Sequence, residues 1–160
     1  MKDKYTKERI LLLHPKAIPV FQSFINAVET ELFITLRITN GFRSFEEQER
    51  FYNQPTDGID NDKDGKIDEA DECITKAKAG RSYHQYGLAI DIVPIINDKI
   101  DYSYDYSKIA KIAKRYNIVW GGDFVHFKDK PHFELSFGHS TKELLDLYYK
   151  GNLKNGYVQI

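Results

Sequence analysis

Ser82-Tyr83-His84-Gln85-Tyr86-Gly87-Leu88-Ala89-Ile90-Asp91 joins a polar turn to an apolar run, and the way it folds decides the architecture. Leu88 to Val93 has the length and composition of a strand, closed by Pro94. His84 and Asp91 are seven residues apart. On one straight strand that odd separation sends them to opposite faces. On one helix they share a face but stand about 10 Å apart along the axis, awkward for bonds of about 2 Å to a common ion. A tight turn or bulge at Gly87 reconciles them. His84 is therefore expected on the loop entering the strand, and Asp91 inside it.

Outward from this segment, Ile34-Thr35-Leu36-Arg37-Ile38-Thr39 alternates strictly and reads as a strand with one buried face. Before it, Pro15 to Leu32 carries Ile18, Phe21, Phe24, Ile25 and Val28 at helical spacing, with Pro19 tolerable in a first turn. After it, Asn40-Gly41 breaks the strand, and Ser44 with Glu47 forms a capping box for a short helix through about Tyr52. Tyr106 to Tyr116 places Ile109, Ile112, Ala113 and Tyr116 on one helical face. Gly121-Gly122 marks a turn, and Pro131 to Phe137 resembles another strand, begun by His132. Ser140 and Glu143 cap a last helix to about Lys150. Helices and strands mix without regular alternation, so the expected class is α+β: a small antiparallel sheet with flanking helices.

At 160 residues the chain suits one domain, 1–160, with a single core. A net charge of -1 argues against a nucleic-acid partner held by bulk electrostatics. The apolar run from Ile10 to Leu13 is too brief for a secretory leader or a membrane span. Cytoplasmic synthesis with separate release, or a removed leader, is the expectation. The lone Cys73 excludes an internal disulfide and reads as a spectator thiol. A monomer is expected.

His84, Asp91 and His132 supply two imidazoles and a carboxylate, and Asp129 stands three residues before the second imidazole. That is the inventory of a hydrolytic zinc site: three protein ligands, an open fourth position for water, and a base. Asp129 would serve as general base and then as proton donor. Arg43 could stabilise an oxyanion. Asp123, behind the glycine pair, could orient a ligand His or bind a substrate amine. Residue types alone leave a structural reading open, in which Asp91 is partnered by Arg37 or Arg43 in a buried ion pair. His14, His126 and His139 read as surface residues, His126 being a weak substitute ligand.

Ser82-x-His84-x-x-Gly87-x-Ala89-x-Asp91 resembles the first signature of the zinc peptidases that include D-alanyl-D-alanine carboxypeptidases, vancomycin-resistance dipeptidases and the hedgehog signalling domain. Asp129 to His132 matches their second signature, an acid followed by a zinc-binding His. Within that group, Trp120-Gly121-Gly122-Asp123-Phe124 and Lys128-Asp129-Lys130-Pro131-His132-Phe133-Glu134 look like the L-alanyl-D-glutamate endopeptidase branch, which includes phage endolysins. Leu13-His14-Pro15 and Gly41-Phe42-Arg43-Ser44-x-x-Glu47-Gln48 are similar to its opening segments. The resemblance implies the hedgehog/DD-peptidase-like fold, zinc on His84, Asp91 and His132, Asp129 as catalytic acid/base, and Arg43 as oxyanion stabiliser. Ser82, Trp120 and Asp123 are further candidates for contact with substrate or support of the ligands. The implied substrate is the peptidoglycan stem peptide, cut at the L-alanyl-D-glutamate bond in the cell wall, periplasmic or extracellular. D,D-carboxypeptidase or dipeptidase activity on the same scaffold is one rival; a zinc-containing wall-binding module without turnover is the other.

An acidic insertion at about 57–72 carries a second motif. Asp60-Asn61-Asp62-Lys63-Asp64-Gly65-Lys66-Ile67-Asp68-Glu69-Ala70-Asp71 follows the twelve-residue calcium-loop pattern. Asp60, Asp62, Asp64 and Asp68 would be ligands, with Lys66 through its backbone carbonyl and Asp71 in the closing twelfth place. Asp71 is shorter than the usual Glu, which predicts weaker binding or fewer coordinating oxygens. Pro55 interrupts the entering helix, so an isolated loop is expected. Calcium there could order the wall of the substrate cleft.

Overall fold

The alternating segment becomes β1 (Thr35–Asn40) in a computed structural model that describes residues 1–160. Its Leu36 and Ile38 point into the core with no exposed surface. Ahead of it lie α1 (Lys4–Arg9), capped by the Asp3 carboxylate accepting from the Thr6 N–H, and α2 (Ala17–Glu31). After it, Ser44 accepts from the Glu47 N–H and starts α3 (Phe45–Asn53). Pro55 then sits in a single 3₁₀ turn that leads into the acidic loop.

The apolar run becomes β2 (Ala89–Ile96), which is longer than expected because it passes through Pro94. Residues 89–91 pair with β5 (His132–Glu134), and residues 95–96 pair with β3 (Lys99–Ile100). Pro94 falls in the gap between these two ladders, where a missing N–H is tolerated. The remaining elements are α4 (Tyr106–Ala113), β4 (Val119–Trp120), α5 (Thr141–Tyr149) and the hairpin β6 (Leu153–Lys154) with β7 (Tyr157–Val158). β5 holds three residues, shorter than the Pro131–Phe137 expectation. The main sheet has the order β1-β2-β5-β4 with β3 beside β2, and every pairing is antiparallel. The class is α+β.

Strand alternation gives this sheet two different faces. Leu36, Ile38, Ile90, Ile92 and Phe133 look toward α2 and α4, and Phe24 of α2 brings its ring centroid within 5.4 Å of Phe133. Asp91 and His132 are cross-strand partners on the opposite face, and Glu134 follows His132 on that same face, opposite Ala89. The apolar face thus anchors the strands, and the other face holds the chemistry in register.

Candidate metal centre and cleft

Tyr83–Tyr86 forms a 3₁₀ turn with Ser82 as its cap, and Gly87 closes it in the left-handed region at φ 67°. A side chain at Gly87 would meet more than strain, because a Cβ there would lie 2.5 Å from the backbone nitrogen of His14. The reversal lifts His84 off the strand line and points its ring back over β2. The bend expected at Gly87 is therefore present, in the form of a helical turn.

His84 Nε2, Asp91 Oδ1 and His132 Nδ1 form a nearly equilateral triangle: 3.2 Å between His84 and Asp91, 3.1 Å between His132 and Asp91, 3.2 Å between the imidazoles. Two ligands at the corners of a tetrahedron with bonds of about 2.0–2.1 Å lie about 3.3 Å apart, so the triangle has the dimensions of a zinc face. The outer ring nitrogens are engaged elsewhere. His84 Nδ1 lies 2.7 Å from the Gly41 carbonyl, and His132 Nε2 lies 2.8 Å from a Glu134 carboxylate oxygen. Protons assigned to those outer nitrogens by their acceptors leave two lone pairs and a carboxylate facing one another in a buried space. Such a set needs a cation, and the nitrogen and oxygen donors suit zinc.

Without a cation, charge pairing between Asp91 and the imidazoles holds the same cluster together. Burial alone would raise the Asp91 carboxyl, but the neighbouring His84 and His132 hold it far below the usual carboxylate range. Burial opposes charge on His132, yet its hydrogen bonds to Asp91 and Glu134 push it up to about 9. Asp129 shifts the other way: burial and the negative Asp91 raise it, against the pull of both imidazoles.

These groups open onto a cleft of about 620 Å³ whose lining includes Arg43, Ser82, Asp129 and Glu134. Asp129 is held by backbone: its N–H donates to the Gly121 carbonyl, and its own carbonyl accepts from the His132 N–H. The Arg43 backbone N–H donates to the His84 carbonyl, while its guanidinium is buried, donates to Gln48 Oε1 at 3.1 Å, and leaves Nε without a partner. Gln48 also donates to Thr75 Oγ1 and to the Ala77 carbonyl, tying Arg43 to the 73–77 segment that forms one cleft wall. Across the cleft mouth, the Lys76 ammonium lies 4.8 Å from the Phe127 ring centre.

Several sequence expectations change. Asp91 is partnered by the two imidazoles, whereas Arg37 pairs with Asp3 at 2.8 Å, so the buried ion-pair reading fails for Arg37. Asp123 is exposed and pairs with Lys114 at 3.4 Å, away from the His84 and His132 imidazoles; Glu134 is the carboxylate that contacts the His132 ring. Trp120 donates from its indole to the Lys130 carbonyl, bracing the segment that carries Asp129 and His132. His14 is buried, its Nε2 2.9 Å from the Val158 carbonyl, because the distant β6–β7 hairpin folds over it. His126 is exposed and outside the cluster.

In the acidic loop, the oxygens that converge belong to Asp60, Asp62 and Glu72. Asp71 is exposed, and Glu72, one place later, is buried with its carboxylate beside Asp60 and Asp62. Residues 70–72 form a 3₁₀ turn, and that turn carries Glu72 inward to accept from the Asn61 and Glu69 N–H groups. Asp64 accepts from the Lys66 N–H and pairs with its ammonium, and Asp68 accepts from Gly58.

Residues 75–135, which span the whole triangle, match a family model described as D-alanyl-D-alanine carboxypeptidase. The chain resembles the zinc peptidases of that group. Over 113 residues it is 39% identical to the peptidoglycan L-alanyl-D-glutamate endopeptidase CwlK of Bacillus subtilis, a match covering 64% of this chain and 61% of that protein. The chain thus spans less than two thirds of the length of the curated relative it matches. Among solved structures, the L-Ala D-Glu endopeptidase ChiX of Serratia marcescens superposes with a TM-score of 0.59 at 22% identity, covering 84% of this chain and 88% of that one. The vancomycin-resistance D,D-pentapeptidase VanY, in complex with Zn(II), gives 0.52 at 18% identity over 87% and 79%. These likenesses establish the DD-peptidase-like fold.

Proposed function

We propose that this chain is a zinc-dependent peptidoglycan hydrolase that cuts the L-alanyl-D-glutamate bond of the stem peptide, acting at the cell wall. The observation that carries this reading is the triangle of metal-facing atoms with Asp129 and the incompletely partnered Arg43 guanidinium in the same cleft. The choice of bond rests on the similarity to CwlK. His84 Nε2, Asp91 and His132 Nδ1 would hold the ion.

Bound there, zinc supplies Lewis acidity to the scissile carbonyl and to a water molecule. Asp129 takes the proton of the attacking water and later delivers it to the departing amine. Its raised affinity for a proton, from burial and from Asp91, suits both halves of that cycle. Arg43 donates to the carbonyl oxygen as negative charge builds there, from a position fixed through Gln48 and the His84 backbone. Mass spectrometry of digested muropeptides tests the bond. The expected products separate between L-alanine and D-glutamate. Release of D-alanine or of D-alanyl-D-alanine would instead assign a D,D-carboxypeptidase or dipeptidase, and intact muropeptides with zinc retained would assign a binding module.

We further propose calcium in the acidic loop, on Asp60, Asp62 and Glu72, ordering the adjoining cleft wall. Removing calcium selectively, with zinc retained, should lower both the thermal midpoint and the hydrolysis rate. Glu72→Gln should weaken calcium binding more than Asp71→Asn. If calcium removal leaves midpoint and rate unchanged, the loop is only a solvated acidic segment.

A further inference from the structure

The two imidazoles of the triangle present different nitrogens, and they are held by different means. His84 faces the ion with Nε2, and its Nδ1 is fixed by the Gly41 carbonyl, part of the fold itself. His132 faces it with Nδ1, and its Nε2 has one acceptor, the Glu134 carboxylate at 2.8 Å. The ring is buried, and Phe124 flanks it at 5.8 Å between centroids. Without Glu134, the His132 Nε2–H would be a buried donor lacking an acceptor. A half-turn of the ring about its Cβ–Cγ bond would then bring a carbon to the ion instead of Nδ1. Adjacent residues on a strand point to opposite faces, so only a residue two away along β5 could reach over the ring in this manner.

We propose that Glu134 is the positioning residue of the metal centre: its carboxylate accepts the His132 Nε2–H, fixes the tautomer, and so presents Nδ1 to zinc. This rests on the triangle being a zinc site and adds a residue to it. Loss of such an outer partner commonly weakens metal binding by about 10–100-fold. A glutamine keeps an acceptor oxygen at the same reach, whereas alanine removes it.

The test titrates zinc into metal-free protein against a chromogenic chelator, comparing wild type, Glu134→Ala and Glu134→Gln. Circular dichroism checks that each variant is folded. Should Glu134→Ala fail to fold, Glu134→Met fills the space without a carboxylate and takes its place. The expected result is zinc affinity about 10–100-fold weaker in the alanine variant, with glutamine recovering most of the loss. Nitrogen-15 spectra of the zinc-loaded proteins should show His132 protonated at Nε2 in wild type and the glutamine variant, and that signal broadened or lost in the alanine variant. A residue that merely touched substrate would leave both readouts unmoved. Affinity within twofold of wild type in the alanine variant overturns the proposal, as does a glutamine variant as weak as alanine, which would assign the effect to charge. If wild type itself takes up no zinc, the metal-site reading falls and not this assignment alone.

Discussion

Asp129 and Arg43 can be tested apart from His84, Asp91 and His132 because neither belongs to the triangle. Asp129→Ala removes the carboxylate proposed to carry the proton and leaves the three clustered atoms of His84, Asp91 and His132 in place. Zinc content should stay at the wild-type level, and hydrolysis of muropeptides should fall by about 10²–10⁴-fold, the range a general acid-base group supplies. Retained hydrolysis in that variant would take Asp129 out of the mechanism. Arg43 is a buried cation that lines the cleft, donates to Gln48 and stacks 5.1 Å from the Phe51 ring centre, with its Nε unpartnered. Arg43→Ala should lower kcat by about 10²–10³-fold at unchanged zinc affinity, as loss of an oxyanion donor does. A variant that loses zinc in step with rate would show that Arg43 instead shapes the His84 turn, to which its backbone is bonded.

At the scale of elements, the 121–123 turn is packed so closely on the Asp129–His132 segment that Gly121 is required there. A Cβ at that position would stand 2.5 Å from the Asp129 carbonyl oxygen and 3.0 Å from the His132 Cβ. Gly121→Ala should therefore fold yet displace both functional residues. Because a shift of about 1 Å at a reacting group can cost about 10²-fold, we expect a loss of that order in hydrolysis together with weaker zinc binding. Wild-type values for both would mean that the segment absorbs the methyl group by moving elsewhere. Much of this level was legible in the chain. The seven-residue step from His84 to Asp91 demanded a reversal, and Gly87 was the residue able to make it. Alternation marked β1, an apolar run of strand length marked the core of β2, and the Ser44 and Ser140 caps are present at the helix starts. What escaped was set by distant or competing contacts. His14 is buried by a hairpin more than a hundred residues away. Asp123 turns to Lys114, which spacing alone could not foretell. The short turn at 70–72 brings Glu72 inward beside Asp60 and Asp62 and leaves Asp71 exposed, whereas the calcium-loop pattern counts only positions. Glu134 did leave a signal: an acid two residues after His132 on one strand must share its face.

At the scale of the whole molecule, the triangle links stability to both pH and metal. In metal-free protein, Asp91 has a depressed pKa and His132 one raised to about 9. The Asp91 contribution is present above the unfolded carboxylate value of about 3.9 and is lost as pH falls through the lower folded value. The His132 contribution is complete below the unfolded imidazole value of about 6.5 and is lost as pH rises toward 9. The thermal midpoint of chelator-treated protein should therefore decline between about pH 6.5 and 9 through His132. Zinc removes this decline, because it binds neutral imidazole and must displace the proton that stabilised the metal-free form. The increase in midpoint on adding zinc should grow across that same window, and ligand-linked stabilisation of about 2.7 kcal/mol at a hundredfold excess over the dissociation constant is readily measured. Scanning calorimetry at half-unit pH steps, with and without zinc, decides the matter. A zinc-induced shift that stays constant from pH 6 to 9 would mean that His132 carries no proton to be displaced, and that the cluster is held together by other means than the charge pair derived from its geometry.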